Sequence, residues 1–389
     1  MRLTRTRLTW YCYLLSGLFT FIINIQGNII PFLRDELGLN YRDVSLHPSA
    51  IAAGMIVAGL ITERVVAAIG RRSALLLSVA GCLAGMLLIC VAPIAAVSVG
   101  GCALIGLSGG MIPGAIAGLL AQLHGGTREQ AFAECGAVTY ACAITANLSV
   151  GGAVALGLGW RAAMLFGVAS GIALVGVYGR DATPPPLRRA AHVSRHLPVA
   201  SAAFLVMLGF GVALEMCMLL WSPAFLGQVV GLSPSAATTA SAAFPAAMLL
   251  GRWAGSFALR RMAPMLLWPL AFALLVPGFA LYWGSASPPL AVLGLFLAGL
   301  AIALNYPLAL GFAVGAAGPA GDTASARATF AGGVAILTAP IALGALADRV
   351  GLSAAYLIVP GFGVAIVLCF LIARVLERRG AYAADGSLP

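Results

Sequence analysis

Residues 198–226 read PVASAAFLVMLGFGVALEMCMLLWSPAFL, and this stretch decides the fold class. It contains one charged side chain, Glu215, in a run long enough to cross the roughly 30 Å hydrocarbon core of a bilayer as a helix. Similar runs fill the chain, and only 9% of its residues are charged, whereas soluble proteins carry about 25% because their surface must be hydrated. The sequence therefore predicts an all-α membrane protein embedded in a lipid bilayer.

Twelve apolar runs, each bounded by charged or turn residues, are predicted to be transmembrane spans. In chain order they cover residues 8–32, 47–68, 73–91, 95–118, 131–156, 161–178, 198–226, 236–258, 264–283, 289–314, 327–346 and 353–374. The longest connection, 180–197, contains three successive prolines and four arginines and lies near the midpoint of the chain. We therefore predict an N-terminal half at 1–179, a cytoplasmic linker at 180–197, a C-terminal half at 198–376 and a cytoplasmic tail at 377–389.

The arginines predict the orientation of the spans. All 22 cationic side chains are arginine, and 18 of them fall on one side of the predicted spans. Cytoplasmic connections are the ones enriched in cations, so both termini are predicted to be cytoplasmic. The arginines stand in small groups between spans, which excludes a basic nucleic-acid-binding domain despite the net charge of +10.

Several function classes are excluded by their motifs. The eight cysteines lie inside predicted spans without metal-ligand spacing, so no metal site is expected. The sequence contains no Gly-rich phosphate-binding loop and no nucleophile or zinc motif. We therefore expect neither an enzyme nor an ATP-driven pump, and no cofactor apart from a coupling proton.

The second half repeats landmarks of the first half. LGLN around Gly38 returns as VGLS around Gly231, and the other landmarks recur at nearly the same offset, about half the chain. These landmarks are Arg71 and Arg72 with Arg260 and Arg261, Gly106 and Pro113 with Gly299 and Pro307, and GWRAAMLF from Gly159 with GLSAAYLI from Gly351. Parallel duplication with a binding site between the halves is an architecture of secondary transporters.

Residues 63–75, ERVVAAIGRRSAL, resemble the loop signature between helices 2 and 3 of the major facilitator superfamily (MFS). Gly70, Arg71 and Arg72 match that signature, whereas Ala67 replaces its Asp and Glu63 its first Gly. The stretch GRWAGSFALRR, 251–261, is similar to a second copy. The resemblance assigns a cytoplasmic gate or loop-motif role to Glu63, Arg64, Gly70, Arg71, Arg72, Gly251, Arg252, Arg260 and Arg261.

The resemblance implies a twelve-helix transporter with two pseudo-symmetric six-helix halves in the cytoplasmic membrane of a bacterium. Such a protein works by alternating access, and we expect it to be a monomer. Spans 3, 6, 9 and 12 are almost wholly apolar and are expected to lie on the outside of the bundle. Polar side chains concentrate in other spans, so these are expected to line the substrate path.

Glu215 is the strongest candidate for a functional residue on that path. A carboxylate in mid-span is costly and marks a functional site, so we predict that Glu215 carries the coupling proton. The alternative is a protonated glutamate that joins helices by hydrogen bonds. The other candidates for the substrate and proton pathway are Asn24, Gln26, Glu134, Tyr140, Asn147, Trp221, Asn305 and Tyr306, and Pro113 and Pro307 are predicted to break their helices.

Most of these candidates have a structural alternative. The amides of Asn24, Gln26 and Asn305 could form interhelical hydrogen bonds instead of binding a substrate. Trp221 fits either an anchor at the membrane interface or a gate. Both interpretations stay open at the level of sequence.

The predicted function is proton-coupled uptake, or symport, of a small neutral or zwitterionic polar solute. This substrate class follows because no arginine or lysine stands at mid-span, unless Arg252 reaches inward. Residues 214–226, LEMCMLLWSPAFL, loosely resemble the fucose and hexose permease branch. The alternatives are proton-driven efflux of a hydrophobic or cationic compound and, outside transport, a sensor built on a transporter fold.

Overall fold

The computed structural model describes residues 4–124, 128–181, 183–184, 197–259 and 261–384. Within these ranges every regular element is helical. The helices are α1 Arg7–Leu37, α2 Tyr41–Ile69, α3 Arg71–Cys90, α4 Ala95–Gly109, α5 Met111–His124, α6 Arg128–Ala155, α7 Trp160–Tyr178, α8 Val199–Gln228, α9 Pro234–Ala240, α10 Ala243–Ala258, α11 Pro264–Ala273, α12 Leu275–Gly284, α13 Pro288–Ile302, α14 Asn305–Ala317, α15 Gly321–Val350, α16 Leu352–Ala355 and α17 Ile358–Ala384, with a 3-10 turn at Gly318–Ala320.

Eleven helical segments of the described chain are long and apolar enough to cross a membrane. Four of them join two consecutive helices, namely α4 with α5, α11 with α12, α13 with α14, and α16 with α17. The eighth predicted span, 236–258, corresponds to α9 and α10, and neither of these is long enough to cross a bilayer by itself. The prediction of an all-helical, multi-span fold is confirmed, with eleven continuous segments where twelve spans were predicted.

The interruptions inside these segments, and the one between α9 and α10, lie one turn before a proline. Proline has no N–H to donate and clashes with the carbonyl of the preceding turn, so it fits the first turn of a new helix but not a helix interior. The prolines that follow an interruption in this way are Pro113, Pro245, Pro277, Pro307 and Pro360. Pro31 in α1 and Pro223 in α8 lie inside continuous helices, so proline alone does not decide where a helix ends.

Two buried apolar clusters hold the helices together. One cluster is built by side chains of α1 to α7, and the other by side chains of α8 to α17 with Ile30 of α1 and Val44 of α2. The helices of predicted spans 3, 6, 9 and 12 carry large apolar side chains that are more than half exposed, including Leu77, Ile172 and Val276. An apolar exposed surface of this kind suits lipid, as the sequence predicts for these spans.

The starts of α1 and α8 lie on one face of the bundle, since Tyr41, which follows α1, packs on Trp221 near the end of α8. Arg7 at the start of α1 pairs with Asp181 after α7 at 2.9 Å. Phe204 near the start of α8 packs on Phe370 in the middle of α17, with ring centroids 6.4 Å apart. We call this face the terminal side, and we call the face that holds the connection between α1 and α2 the opposite side.

Equivalent helices of the two halves meet at equivalent residues. A Cβ added to Gly27 of α1 would lie 2.9 Å from the Cα of Leu220 in α8, and these two residues stand 193 positions apart. Gly151 of α6 approaches α9 closely, and Gly344 of α15, again 193 positions on, approaches α2 closely. Contacts of this kind are expected of a pseudo-two-fold axis between duplicated halves.

Candidate functional site

Glu215 lies in the middle of α8 and is partly exposed. It stands sixteen residues after Val199, which is about 24 Å along a helix that rises 1.5 Å per residue. Among the described residues, the groups that interact electrostatically with its carboxylate are Arg252 of α10, Tyr140 of α6 and Tyr306 of α14. A carboxylate at this depth therefore meets charged and polar groups instead of hydrocarbon.

Arg252 brings a cation to this carboxylate. Its guanidinium carbon lies 4.8 Å from the centroid of the Tyr140 ring, a cation–π contact that joins α10 of one half to α6 of the other. No direct salt bridge joins Arg252 to Glu215 in the described structure. The Nε of Arg252 is buried, and no described residue accepts its hydrogen bond.

These four side chains form what we call the central cluster: Tyr140, Glu215, Arg252 and Tyr306. Each of them is partly exposed although it lies within a helix of the bundle. The cluster therefore borders a cleft between the halves, with one phenol contributed by the N-terminal half. The sequence left open that Arg252 reaches inward, and in the structure its guanidinium contacts Tyr140 of the other half.

The halves are joined on the opposite side by hydrogen bonds at the start of α2. The backbone N–H groups of Tyr41 and Arg42 each donate to the Asp348 carboxylate of α15 at 2.7 Å. These N–H groups have no partner inside their own helix, and the partial positive charge of a helix start favours a carboxylate. Ser49 of α2 also donates to the Leu337 carbonyl at 2.8 Å. Asp348 and α2 thus hold one half against the other.

A second polar network joins α1, α6 and the break between α9 and α10. Asn28 donates to the Asn147 side-chain oxygen and accepts from Ser241 at 3.2 Å. Ser235 donates to the Gly151 carbonyl at 2.7 Å, close by on α6. Asn147, predicted for the substrate path, is thus buried in a hydrogen-bond network that crosses between the halves.

The other predicted amides are buried and form hydrogen bonds within the protein. Asn24 donates to the Thr20 carbonyl at 2.9 Å, and its side-chain oxygen has no partner among the described residues. Gln26 accepts a weak bond from the Cys102 thiol at 3.6 Å. Asn305 accepts from the Trp268 indole at 3.0 Å. None of these contacts links an amide to the central cluster.

Trp221 is fully buried and packs against Tyr41 of the other half, with ring centroids 5.8 Å apart. Full burial excludes the interfacial anchor that the sequence left open, because such an anchor has one end in water. Its indole N–H has no acceptor among the described residues.

Glu134 lies away from the central cluster, on the terminal side. Arg5 donates two hydrogen bonds to its carboxylate, at 2.8 and 2.9 Å, and the Tyr13 hydroxyl lies 3.3 Å away. An ion pair that is open to water on this side joins the segment before α1 to the first turns of α6. The structure does not bring Glu134 together with Glu215.

The loop-motif arginines bind their own half. Arg71 is buried and donates to Gln122 of α5 and to the Pro184 carbonyl, both at 3.0 Å, and Arg72 donates to the Gly179 carbonyl at 2.7 Å. Gly70 connects α2 to α3 with a φ of 79°, a conformation that favours glycine. The remaining motif residues do not form one site. Gly251 packs on Ala303, and Arg64 and Arg261 are exposed. Arg260 and the Glu63 side chain lie outside the described structure.

An apolar groove of about 570 Å³ lies between α8, α15 and α17. Its α8 residues, among them Leu205, Gly209 and Ala213, lie on the face of the helix that points away from Glu215. The groove is therefore separate from the central cluster.

Sequence reasoning left one feature of the site open and missed another. It assigned Arg252 to a loop motif and allowed that this arginine, which stands near the end of a predicted span, reaches inward. Asp348 accepts hydrogen bonds from the start of α2, which belongs to the other half. An exposed aspartate near a helix end carries no sequence signal for such a contact.

Comparisons with known proteins point to one family. The sequence profile of the Major Facilitator Superfamily matches residues 9–321. No curated protein matches the sequence. Among solved structures, a bacterial homologue of the human lysosomal transporter Spinster, in an inward-facing and occupied conformation, is similar with a TM-score of 0.76 and 14% identity, over 97% of this chain and 98% of that chain.

Two further solved structures are similar at the same level. A bacterial homologue of the human drug peptide transporters PepT1 and PepT2 has a TM-score of 0.75 and 17% identity, over 97% of this chain and 100% of that chain. The nucleoside transporter NupG has a TM-score of 0.74 and 13% identity, over 95% of this chain and 99% of that chain. Identities this low establish a shared fold and leave the solute open.

Proposed function

The chain belongs to the Major Facilitator Superfamily, whose members are transporters and not enzymes, and we propose that it is a proton-coupled secondary transporter that takes up a small polar solute. We place it in the bacterial cytoplasmic membrane with both termini in the cytoplasm, as the arginine distribution favours. The α9–α10 pair serves as the twelfth span in this proposal. The observation that carries the proposal is Glu215, a partly exposed carboxylate in mid-helix beside Arg252.

Alternating access fits the contacts between the halves. The bonds of Asp348 to α2 and of Ser49 to α15 lie on the opposite side. With that side closed, solute and protons reach the central cluster from the terminal side. Transport requires that these bonds break and that the halves close on the terminal side instead, which exposes the cluster to the other solution.

Glu215 is suited to carry the proton because its two charge states interact differently with the cluster. The ionised form is attracted to Arg252, and the protonated form can donate a hydrogen bond to a solute or a tyrosine. A group that binds a proton on one side of the membrane and releases it on the other couples solute movement to the proton gradient.

The test uses purified protein in liposomes that contain a pH-sensitive dye. Sugars, amino acids, nucleosides, monocarboxylates and lipophilic cations are added outside, one class at a time. We expect one class to acidify the interior, and we expect Glu215→Gln to abolish this signal. Glu377→Gln is the matched control, because Glu377 pairs with Arg374 at 2.7 Å near the end of the chain, far from the cluster.

The other outcomes separate the alternatives. If lipophilic cations made the interior of the liposomes more alkaline, proton-driven efflux would replace symport as the function of the protein. Accumulation of a solute without proton movement would overturn the coupling role of Glu215. A solute that binds but never crosses would favour the sensor.

A further inference from the structure

Arg252 is held in place but left without a counter-ion in direct contact. Tyr140 supports one face of its guanidinium at 4.8 Å. Its Nε is buried and has no acceptor among the described residues, and Glu215 interacts with it without forming a direct salt bridge. A guanidinium presents several N–H donors in one plane, in a geometry that matches the two oxygens of a carboxylate.

We infer that the transported solute carries a single carboxylate, which binds the guanidinium of Arg252 in the cleft between the halves. This inference rests on the proposed function and names its substrate class. It departs from the sequence-based expectation of a neutral or zwitterionic solute, which assumed that no arginine stands at mid-span.

Charge counting in the central cluster links this solute to the proton. With Glu215 ionised, the empty cluster holds one negative and one positive charge, while Tyr140 and Tyr306 are neutral phenols. A bound carboxylate adds a negative charge, and an uncompensated charge inside a bundle surrounded by lipid is expensive. Protonation of Glu215 removes that charge. The loaded and the empty carrier then have the same net charge, so one solute and one proton cross together without net charge movement.

Other solutes fit this cluster less well. A dianion would leave a negative charge after Glu215 is protonated. A monovalent cation would compete with Arg252 for Glu215. A sugar would leave the buried Nε–H and the rest of the guanidinium without an anionic partner. A single carboxylate therefore supplies the hydrogen-bond acceptor that the guanidinium of Arg252 lacks.

Binding is tested by thermal unfolding of the purified protein with matched pairs of ligands. The panel contains 2-hydroxy, 2-oxo and aromatic monocarboxylates, each beside the corresponding amide. A ligand that binds only the folded protein raises the unfolding temperature as its concentration exceeds Kd. We expect at least one carboxylate to raise this temperature while its amide does not. If no carboxylate does so, or if amides do so equally, the inference is wrong.

Variants assign that binding to the cluster. Arg252→Gln is expected to weaken carboxylate binding on the order of a hundredfold, because one member of a buried charge pair is lost, and Arg252→Lys is expected to restore part of it. Arg349→Gln is the control, since Arg349 is an exposed arginine at the end of α15. Equal binding by Arg252→Gln and Arg349→Gln would overturn the assignment. The folded state of each variant is checked by its unfolding temperature without ligand.

Current measurements on a solid-supported membrane test the charge balance. Wild-type protein is expected to take up the stabilising carboxylate without a transport current. A sustained current would contradict one-to-one movement with a proton. Failure of this inference is distinguishable from failure of the proposed function. If a sugar or nucleoside acidifies the liposomes in a way that depends on Glu215, proton-coupled transport stands and only the carboxylate substrate is ruled out.

Discussion

The position of Arg252 shows how far a side chain can carry a charge from its backbone. Its Cα lies in the second half of α10, within a predicted span, although the family resemblance gave it a loop-motif role. Its long apolar stem lets the guanidinium reach the Tyr140 ring of α6. Glu215 could be predicted because a single carboxylate in an apolar run is visible in the sequence. The interaction of Arg252 with Glu215 could only be left open, because it depends on a rotamer and on the tilt of a neighbouring helix.

A single methyl group at Gly106 is predicted to disturb the packing of α4 on α2. A Cβ there would lie 2.0 Å from the Ile51 carbonyl oxygen, and backbone cannot move aside as a flexible side chain can. Gly106→Ala should destabilise the protein by about 1–3 kcal/mol, as overpacking does elsewhere, and should lower its unfolding temperature.

Gly100→Ala on the same helix is the matched control. Nothing lies within 4 Å of a Cβ at that position, and alanine favours a helix over glycine. Equal unfolding temperatures for the two variants would contradict the close contact between α4 and α2.

At the scale of the helices, every described interruption of a span lies beside a proline, but not every proline interrupts its helix. The sequence predicted breaks at Pro113 and Pro307, and the structure has helix ends one turn before each of them. Pro245, Pro277 and Pro360 have the same effect and were not predicted to break their helices. Prolines stand both at interruptions and inside continuous helices. The difference between the two therefore lies in packing, which no local sequence pattern reports.

Contacts between elements on the opposite side should control the opening of the halves. A Cβ on Gly344 of α15 would lie 2.7 Å from the Tyr41 carbonyl of α2. Gly344→Ala should therefore push α2 away from α15 and raise the fraction of molecules open on the opposite side severalfold. Double electron–electron resonance between spin labels at positions 46 and 349 measures this as a longer distance.

The control for this experiment is Gly152→Ala, beside the equivalent contact of α6 with α9. No atom lies within 4 Å of a Cβ at Gly152, so the distance distribution should remain that of the wild type. Cys142 and Cys369 are the partly exposed native cysteines of the described chain and are replaced first. An unchanged distance in Gly344→Ala would show that this contact does not hold the halves together.

At the scale of the whole molecule, the internal repeat was the most informative sequence signal. Landmarks about half the chain apart predicted two equivalent halves. The structure has Gly27 against Leu220, and Gly151 and Gly344 at equivalent positions, with the offset of 193 residues. Duplication could be read from the sequence because it leaves matching residues. The side on which the halves are closed could not be read from the sequence, because one sequence must support both conformations of a transporter.

The orientation in the membrane is a separate prediction. With the terminal side in the cytoplasm, a fluorescent protein fused after Pro389 should fluoresce in bacterial cells, and alkaline phosphatase at the same position should be inactive. The α9–α10 pair must cross the membrane for this result. Active phosphatase would show an odd number of crossings or an inverted protein.

The central claim is that solute binding and protonation of Glu215 occur together. Isothermal titration calorimetry in buffers with different ionisation enthalpies counts the protons that the protein takes up when it binds a stabilising carboxylate. At a pH where the empty protein holds Glu215 ionised, the account predicts uptake of about one proton per solute by the wild type and none by Glu215→Gln. Proton release, or the same uptake by both proteins, would contradict it.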